Sequence, residues 1–275
     1  MRKKWCQTEV VGDWTVLRCI EADEDYKSTN TTALTTEEIL SAFKLTKFFK
    51  DLINPKTIAI YVVGSRAIGL NKLTSDLDLI VILDDQEIDV DGKSADIRLA
   101  YKGIPVHWKF YNYKKLFYID AAENMLAIFR QQICYTKPIP VYLDSRGKKL
   151  NDYLIKNNSY LTTLGAKLTA VSYTNKLLQY KNRLIQKTDL KKPLYHLIMA
   201  SEILSDSVDI DALYKIKFAT LSDYEYLFST GLISKFTHEI RKLATEAINI
   251  NYIELKKQTD EVNTAICNII NSYSS

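Results

Sequence analysis

Ile58-Ala59-Ile60-Tyr61-Val62-Val63 runs into Gly64-Ser65, and shortly afterwards Ser75-Asp76-Leu77-Asp78 opens a second apolar run through Leu83. The first run is β-branched, aromatic and small, follows the breaker pair Asn54-Pro55 and stops at glycine, which is the pattern of a buried strand. Gly64 then lets the backbone turn sharply at the carboxyl end of that strand, and Ser65 offers a hydroxyl and an amide to phosphate oxygens. Gly69, Asn71 and Thr74-Ser75 mark a turn into the second strand. Residues two apart in a strand share a face, so Asp76 and Asp78 are expected to project together, roughly 7 Å apart at their Cα atoms. Ile80 and Ile82 continue that face inward, and Leu77, Leu79 and Val81 cover the other.

Two carboxylates side by side repel one another, and a bound cation removes the cost. Their hard oxygens suit magnesium or manganese. A pair of such ions about 4 Å apart activates an attacking hydroxyl and neutralises a triphosphate and its leaving pyrophosphate. Chemistry of this kind depends on positioning and charge stabilisation.

Gly64-Ser65-Arg66-Ala67-Ile68-Gly69 together with Ser75-Asp76-Leu77-Asp78 resembles the signature of the DNA polymerase β-like nucleotidyltransferase superfamily. The resemblance implies a small mixed sheet, a palm-like core, with metal ligands at Asp76 and Asp78. It also implies nucleotide contacts from Gly64, Ser65 and Arg66, and transfer of a nucleoside monophosphate from an NTP such as ATP to an acceptor. The superfamily adds a third acid from a neighbouring strand. Ala95 to Tyr101 and Ile104 to Phe110 flank Lys102-Gly103, which suits a two-residue hairpin. In that register Asp96 faces Lys109 and Arg98 faces His107, and all four share one polar face. Alignment with family members puts His107 in the third slot. A neutral imidazole binds magnesium poorly and brings no negative charge. Asp96 is the rival and the preferred candidate, because its Asp-Ile-Arg-Leu setting resembles that of the third acid of polymerase β. If neither completes the site, the protein binds nucleotide without turning it over.

The chain has 275 residues, 47% hydrophobic and 25% charged, with eight glycines and five prolines, an ordinary globular composition that favours long regular elements. A formal charge of +4 is compatible with a triphosphate and an RNA acceptor but demands neither. Cys6, Cys19, Cys134 and Cys267 form no Cys-x-x-Cys pair, so no zinc site or disulfide framework is signalled. Polar residues rather than an apolar stretch follow Met1 and no apolar run approaches membrane-spanning length, so a cytoplasmic protein is expected.

Residues 1–33 are expected to be an appendage with a hairpin around Gly12-Asp13. Residues 34–144 are expected to form the nucleotidyltransferase core, and residues 145–275 an all-helical domain. Thr35 with Glu38 predicts a capping box opening a helix through about Leu52, with Ile39, Ala42, Leu45, Phe48 and Phe49 in one stripe. Lys114 to Tyr135 reads as a further helix, and amphipathic helices are expected at 146–157, 159–187, 191–206, 233–248 and 251–271. The helical part resembles the half that follows the core in several branches, among them an RNA-repair-associated one. By that analogy an RNA end is the expected acceptor, with a small molecule or protein, or a nucleotide sensor without turnover, as alternatives. Lys176 and Lys192 are candidates to meet the triphosphate, beside Lys181, Arg183 and Lys191, unless they form only a solvated basic face. His196, among Leu194, Leu197 and Ile198, is expected to be a packed core histidine.

Overall fold

The computed structural model describes residues 3–11, 14–22, 35–45, 47–72, 75–84, 95–101, 104–117, 133–136, 138–182, 191–204 and 252–272. Within these, the strands are β1 (Lys3–Val11), β2 (Trp14–Ala22), β3 (Thr57–Val63), β4 (Leu77–Leu83), β5 (Ala95–Tyr101), β6 (Ile104–Asn112) and β7 (Ile139–Leu143). The helices are α1 (Thr36–Lys44), α2 (Lys47–Leu52), the single turn α3 (Gly64–Ala67), α4 (Ser145–Lys156), α5 (Asn158–Asn182), α6 (Lys191–Leu204) and α7 (Tyr252–Asn271). The fold is a mixed α/β sheet with a helical C-terminal region.

β1 and β2 pair antiparallel from Val11 opposite Trp14 outward, the hairpin expected around Gly12-Asp13. The five-stranded sheet has the order β5-β6-β4-β3-β7. β3 and β4 run antiparallel, β4 and β6 parallel, and β5 and β6 antiparallel. Every residue of β3 and β4 is buried, so the two apolar runs form the middle of a sheet covered on both faces.

One face is fixed by helix packing. Thr35 accepts from the Glu38 amide and the Glu38 side chain accepts from the Thr35 amide, so the capping box starts α1 as expected. Ile39, Leu40 and Phe43 of α1 and Phe49 of α2 join Ile60 and Val62 of β3, the odd residues Leu77 to Leu83 of β4, and Val106, Trp108 and Phe110 of β6 in one core. Phe43 holds Phe49 edge-on at 5.6 Å and Trp108 at 5.0 Å between ring centroids. The expected continuous helix to Leu52 is instead two, because α1 ends at Lys44 with Leu45 as its C-cap. Leu45, assigned to the apolar stripe, is 77% exposed. Phe49 of α2 nevertheless reaches the core.

β7 was not anticipated. It pairs antiparallel with β3 at the sheet edge, with a register shift between Ile60 and Tyr61, the latter opposite Pro140. Proline is tolerated on an edge strand, where its missing N–H need not be paired. After β6, a 3-10 turn at Tyr113–Lys115 is capped by Asn112; most of the expected 114–135 helix lies outside the described residues, as does the one expected at 233–248. The expected helices at 146–157, 159–187, 191–206 and 251–271 correspond to α4, α5, α6 and α7, with 183–190 and 205–206 outside the described residues.

The chain divides into two compact units that are not successive stretches of sequence. The first comprises Met1–Leu116, Thr136–Lys156 and Asn263–Ser275, and the second Phe117–Tyr135 and Asn157–Val262. α4 thus belongs with the sheet. Its first turn approaches β3 so closely that a Cβ on Gly147 would collide with the Ile58 carbonyl. Asp144 caps it by accepting from the Gly147 amide at 2.7 Å. In the second unit His196 is buried and stacks on Tyr173 at 4.7 Å, the core position expected of it.

Candidate active site

The site is built at the end of β3 and the start of β4. Gly64 has φ +71°, which the sharp turn after β3 requires. Val63 stands opposite Asp78 in the β3–β4 register, and this turn therefore lies against the acidic pair. A Cβ on Gly64 would strike the Asp78 carboxylate. Glycine is needed here for its backbone conformation and also for room. Ser65 is half-buried in the turn, and its carbonyl accepts from the Leu70 amide at 2.8 Å, closing the loop on itself.

Arg66 fastens the two halves of the motif. Its side chain is buried, and Nε donates to the carbonyls of Ser75 at 3.1 Å and Asp76 at 3.2 Å, while Nη2 donates to Ser75. Burial lowers the guanidinium pKa from its ordinary value, and the charges of Asp76 and Asp78 oppose that shift. These bonds fix the backbone that presents the first carboxylate.

Asp76 lies just before β4 and is exposed, whereas Asp78 is the second residue of β4 and is buried. The difference sets their electrostatics apart. Desolvation pushes the Asp78 carboxyl above its usual range and Asp76 adds to the rise, against the hydrogen bond from His107 and the charge of Lys109. β4 and β6 run parallel with Asp78 beside His107. The ring Nδ1 lies 3.2 Å from Asp78 Oδ1. An ionised carboxylate can only accept, so Nδ1 carries the proton when Asp78 is ionised and no ion is bound, and a cation bound through Nδ1 would take that proton's place.

Ligand atoms of Asp76, Asp78 and His107 all lie within 4.8 Å of one another. Two carboxylates and an imidazole, one carboxylate desolvated and raised in pKa by burial, are a donor set that fits a divalent cation. Asp96, the preferred third acid, stands opposite Lys109 on β5, and β6 separates β5 from β4. Its Cα row is that of Ile80, one step deeper than Asp78 and two strands, roughly 10 Å, away from β4. Its side chain lies outside the described residues.

Lys109 was visible in the sequence as one of four residues on a polar face, but not as part of the site. It is buried beside Ile80 in the β4–β6 register, on the same face as His107. Period-two spacing from His107 was the signal that could have found it. Lys176 stands in α5 and Lys192 in the first turn of α6; the side chains of both lie outside the described residues.

The nucleotidyltransferase domain family matches residues 44–128. No curated protein matches the chain. Among solved structures, a nucleotidyltransferase-like protein from Exiguobacterium sibiricum 255-15 is similar at 15% identity over 84% of this chain and 80% of that one, with a TM-score of 0.28. No helix among the described residues is long and apolar enough to cross a membrane. The family match falls on the very residues that build the glycine turn and the acidic pair, so the part of the chain that holds the candidate site is similar to a nucleotidyltransferase domain.

Proposed function

We propose that this chain transfers a nucleoside monophosphate from an NTP to an acceptor hydroxyl, with a divalent cation held by Asp76, Asp78 and His107. The observation that carries the proposal is the contact between the two halves of the site: Gly64 abuts the Asp78 carboxylate, and Arg66 bonds the backbone that presents Asp76. A triphosphate on the Gly64-Ser65 turn would therefore lie beside the metal ligands. Ser65 donates to its oxygens from hydroxyl and amide. The metal, when bound, supplies positive charge against the phosphates and lowers the pKa of the attacking hydroxyl.

Asp76 is the exposed carboxylate and marks the side from which acceptor and nucleotide enter. Asp78 is the buried one and anchors the ligand set, its geometry fixed by His107. The acceptor oxygen forms a bond to the α-phosphorus as the bond to pyrophosphate breaks. His107 takes the third place in this reading because it adjoins Asp78 directly, whereas Asp96 stands beyond β6. Lys176 and Lys192 from the helical region are the proposed cationic partners of the triphosphate. The acceptor proposed is an RNA end, by analogy with the RNA-repair-associated branch and in keeping with a net charge of +4. The proposed setting is the cytoplasm.

One observation favours a second reading. An imidazole in the third ligand position removes a negative charge from the site, and a protein so altered can hold nucleotide as a sensor without transferring it. The experiment is incubation with each α-labelled NTP, magnesium or manganese, and a mixed RNA pool, beside an Asp76→Ala/Asp78→Ala control. Label on RNA that the control lacks is the expected result. Label on the protein itself would redirect the acceptor to a protein side chain. NTP binding with no transfer to either would overturn the catalytic reading and leave the sensor.

A further inference from the structure

His107 changes what the site asks of its cation. We propose that His107 makes this a site for a first-row transition metal ion in preference to magnesium, an inference that rests on the metal-site reading above. Three features of the structure point the same way. The ligand set formed by Asp76, Asp78 and His107 brings two negative charges and one nitrogen donor. The guanidinium of Arg66 is buried close enough to both carboxylates to feel their charge. Lys109, buried in the row next to His107, adds a second fixed cation acting on Asp78.

Magnesium is held by charge and hard oxygen, gives up its water reluctantly and takes nitrogen poorly. It loses most when a carboxylate is exchanged for an imidazole among fixed cations. Manganese and its neighbours accept imidazole together with carboxylate, so they keep all three donors. The side chain is placed for this role. His107 is buried on a central strand pair, and its position is fixed by the β4–β6 register rather than by a loop. Nothing about the preference requires the ring to move from a distant rotamer, because it already touches the carboxylate that shares the ion.

The test is made on the full chain with manganese alone as probe. Pulsed electron paramagnetic resonance of the bound ion is expected to show imidazole nitrogen coupling, and the coupling is expected to change its pattern when histidine is labelled with 15N. That measurement needs no variant, so a folding defect cannot obscure it. His196 and His238 are the other histidines of the chain, and loss of the coupling in His107→Asp assigns it. Displacement of manganese by magnesium gives the selectivity: the wild type is expected to need at least about tenfold more magnesium than His107→Asp. Manganese that binds through Asp76 and Asp78, as shown by its loss in Asp76→Asn/Asp78→Asn, but without nitrogen coupling would overturn the inference and leave the metal site standing. Equal displacement by magnesium in wild type and His107→Asp would overturn it as well. Manganese binding indifferent to Asp76 and Asp78 would remove the metal-site reading and the inference together.

Discussion

Burial raises the Asp78 carboxyl above its usual range, and the metal-free protein therefore bears a cost when Asp78 ionises. A folded-state pKa above the unfolded value means that the residue's contribution to stability is present in acid and is lost as pH rises through the folded value. Asp78→Asn keeps an oxygen that can accept from His107 while removing the charge. The variant is expected to melt above the wild type at neutral and alkaline pH in the absence of metal, with the difference closing in acid. It is also expected to lose the metal-induced rise in Tm and at least about 100-fold in transfer rate. Thermal melts with and without manganese across pH check all three, and a variant less stable than wild type at neutral pH would contradict the burial argument. Arg66 invites a different experiment. Its donors go to the carbonyls of Ser75 and Asp76, so Arg66→Lys, which cannot bridge both, is expected to cost about 1–3 kcal/mol in stability and to lower kcat while KM for NTP stays near wild type. A rise in KM with kcat unchanged would instead place Arg66 on the nucleotide. Gly64, Ser65, Asp76 and Asp78 were legible from sequence because strand periodicity and glycine chemistry are local. The burial of Arg66 and Lys109 was not, since a charged side chain reads as surface until its partners across the chain are known.

At the scale of elements, the sheet centre depends on residues that no motif marks. Trp108 is fully buried against Phe43 and shares its strand with His107. Trp108→Ala is expected to cost about 3–5 kcal/mol and to loosen the strand that carries the proposed third ligand, so metal affinity should fall along with stability in chemical denaturation. Trp108→Phe should retain most of both. α4 offers a sharper case. Gly147→Ala places a methyl against the Ile58 carbonyl, and backbone has no rotamer with which to yield. The variant is expected to be less stable than wild type, although alanine is the better helix former, by which measure alone it would gain about 1 kcal/mol. The β3, β4 and β5–β6 elements were readable from apolar runs and a two-residue turn, and their registers follow from alternation. β7 was not readable, because Ile139-Pro140-Val141-Tyr142-Leu143 is short, carries proline and declares itself only through its pairing with β3. The break between α1 and α2 escaped for a related reason: the apolar stripe continues through Leu45, and only packing shows that Leu45 faces solvent.

For the whole molecule, the order of the chain and the order of its units diverge, and this has a measurable consequence. The last stretch, Asn263–Ser275, belongs to the unit that contains the sheet and the candidate site. Within it Ile266 and Ile270 are fully buried, and Tyr113, next to the end of β6, donates from its hydroxyl to Asn271 Oδ1 at 2.6 Å. Each buried isoleucine is worth about 1.5–3 kcal/mol and the hydrogen bond about 1 kcal/mol. Against the marginal stability of a typical domain, about 5–15 kcal/mol, their loss is a large fraction. A chain ending at residue 262 is therefore expected to unfold at distinctly lower denaturant concentration than the full chain, although it keeps every residue of the nucleotidyltransferase motif. Tyr113→Phe, which removes only the hydroxyl, is expected to lower stability by about 1 kcal/mol and to leave transfer intact. If the shortened chain melts with the full one, Asn263–Ser275 is a passenger on the first unit and its burial does not support the sheet. If it melts lower while Asp76, Asp78 and His107 still bind manganese in the cold, the C-terminal residues support the fold without shaping the site.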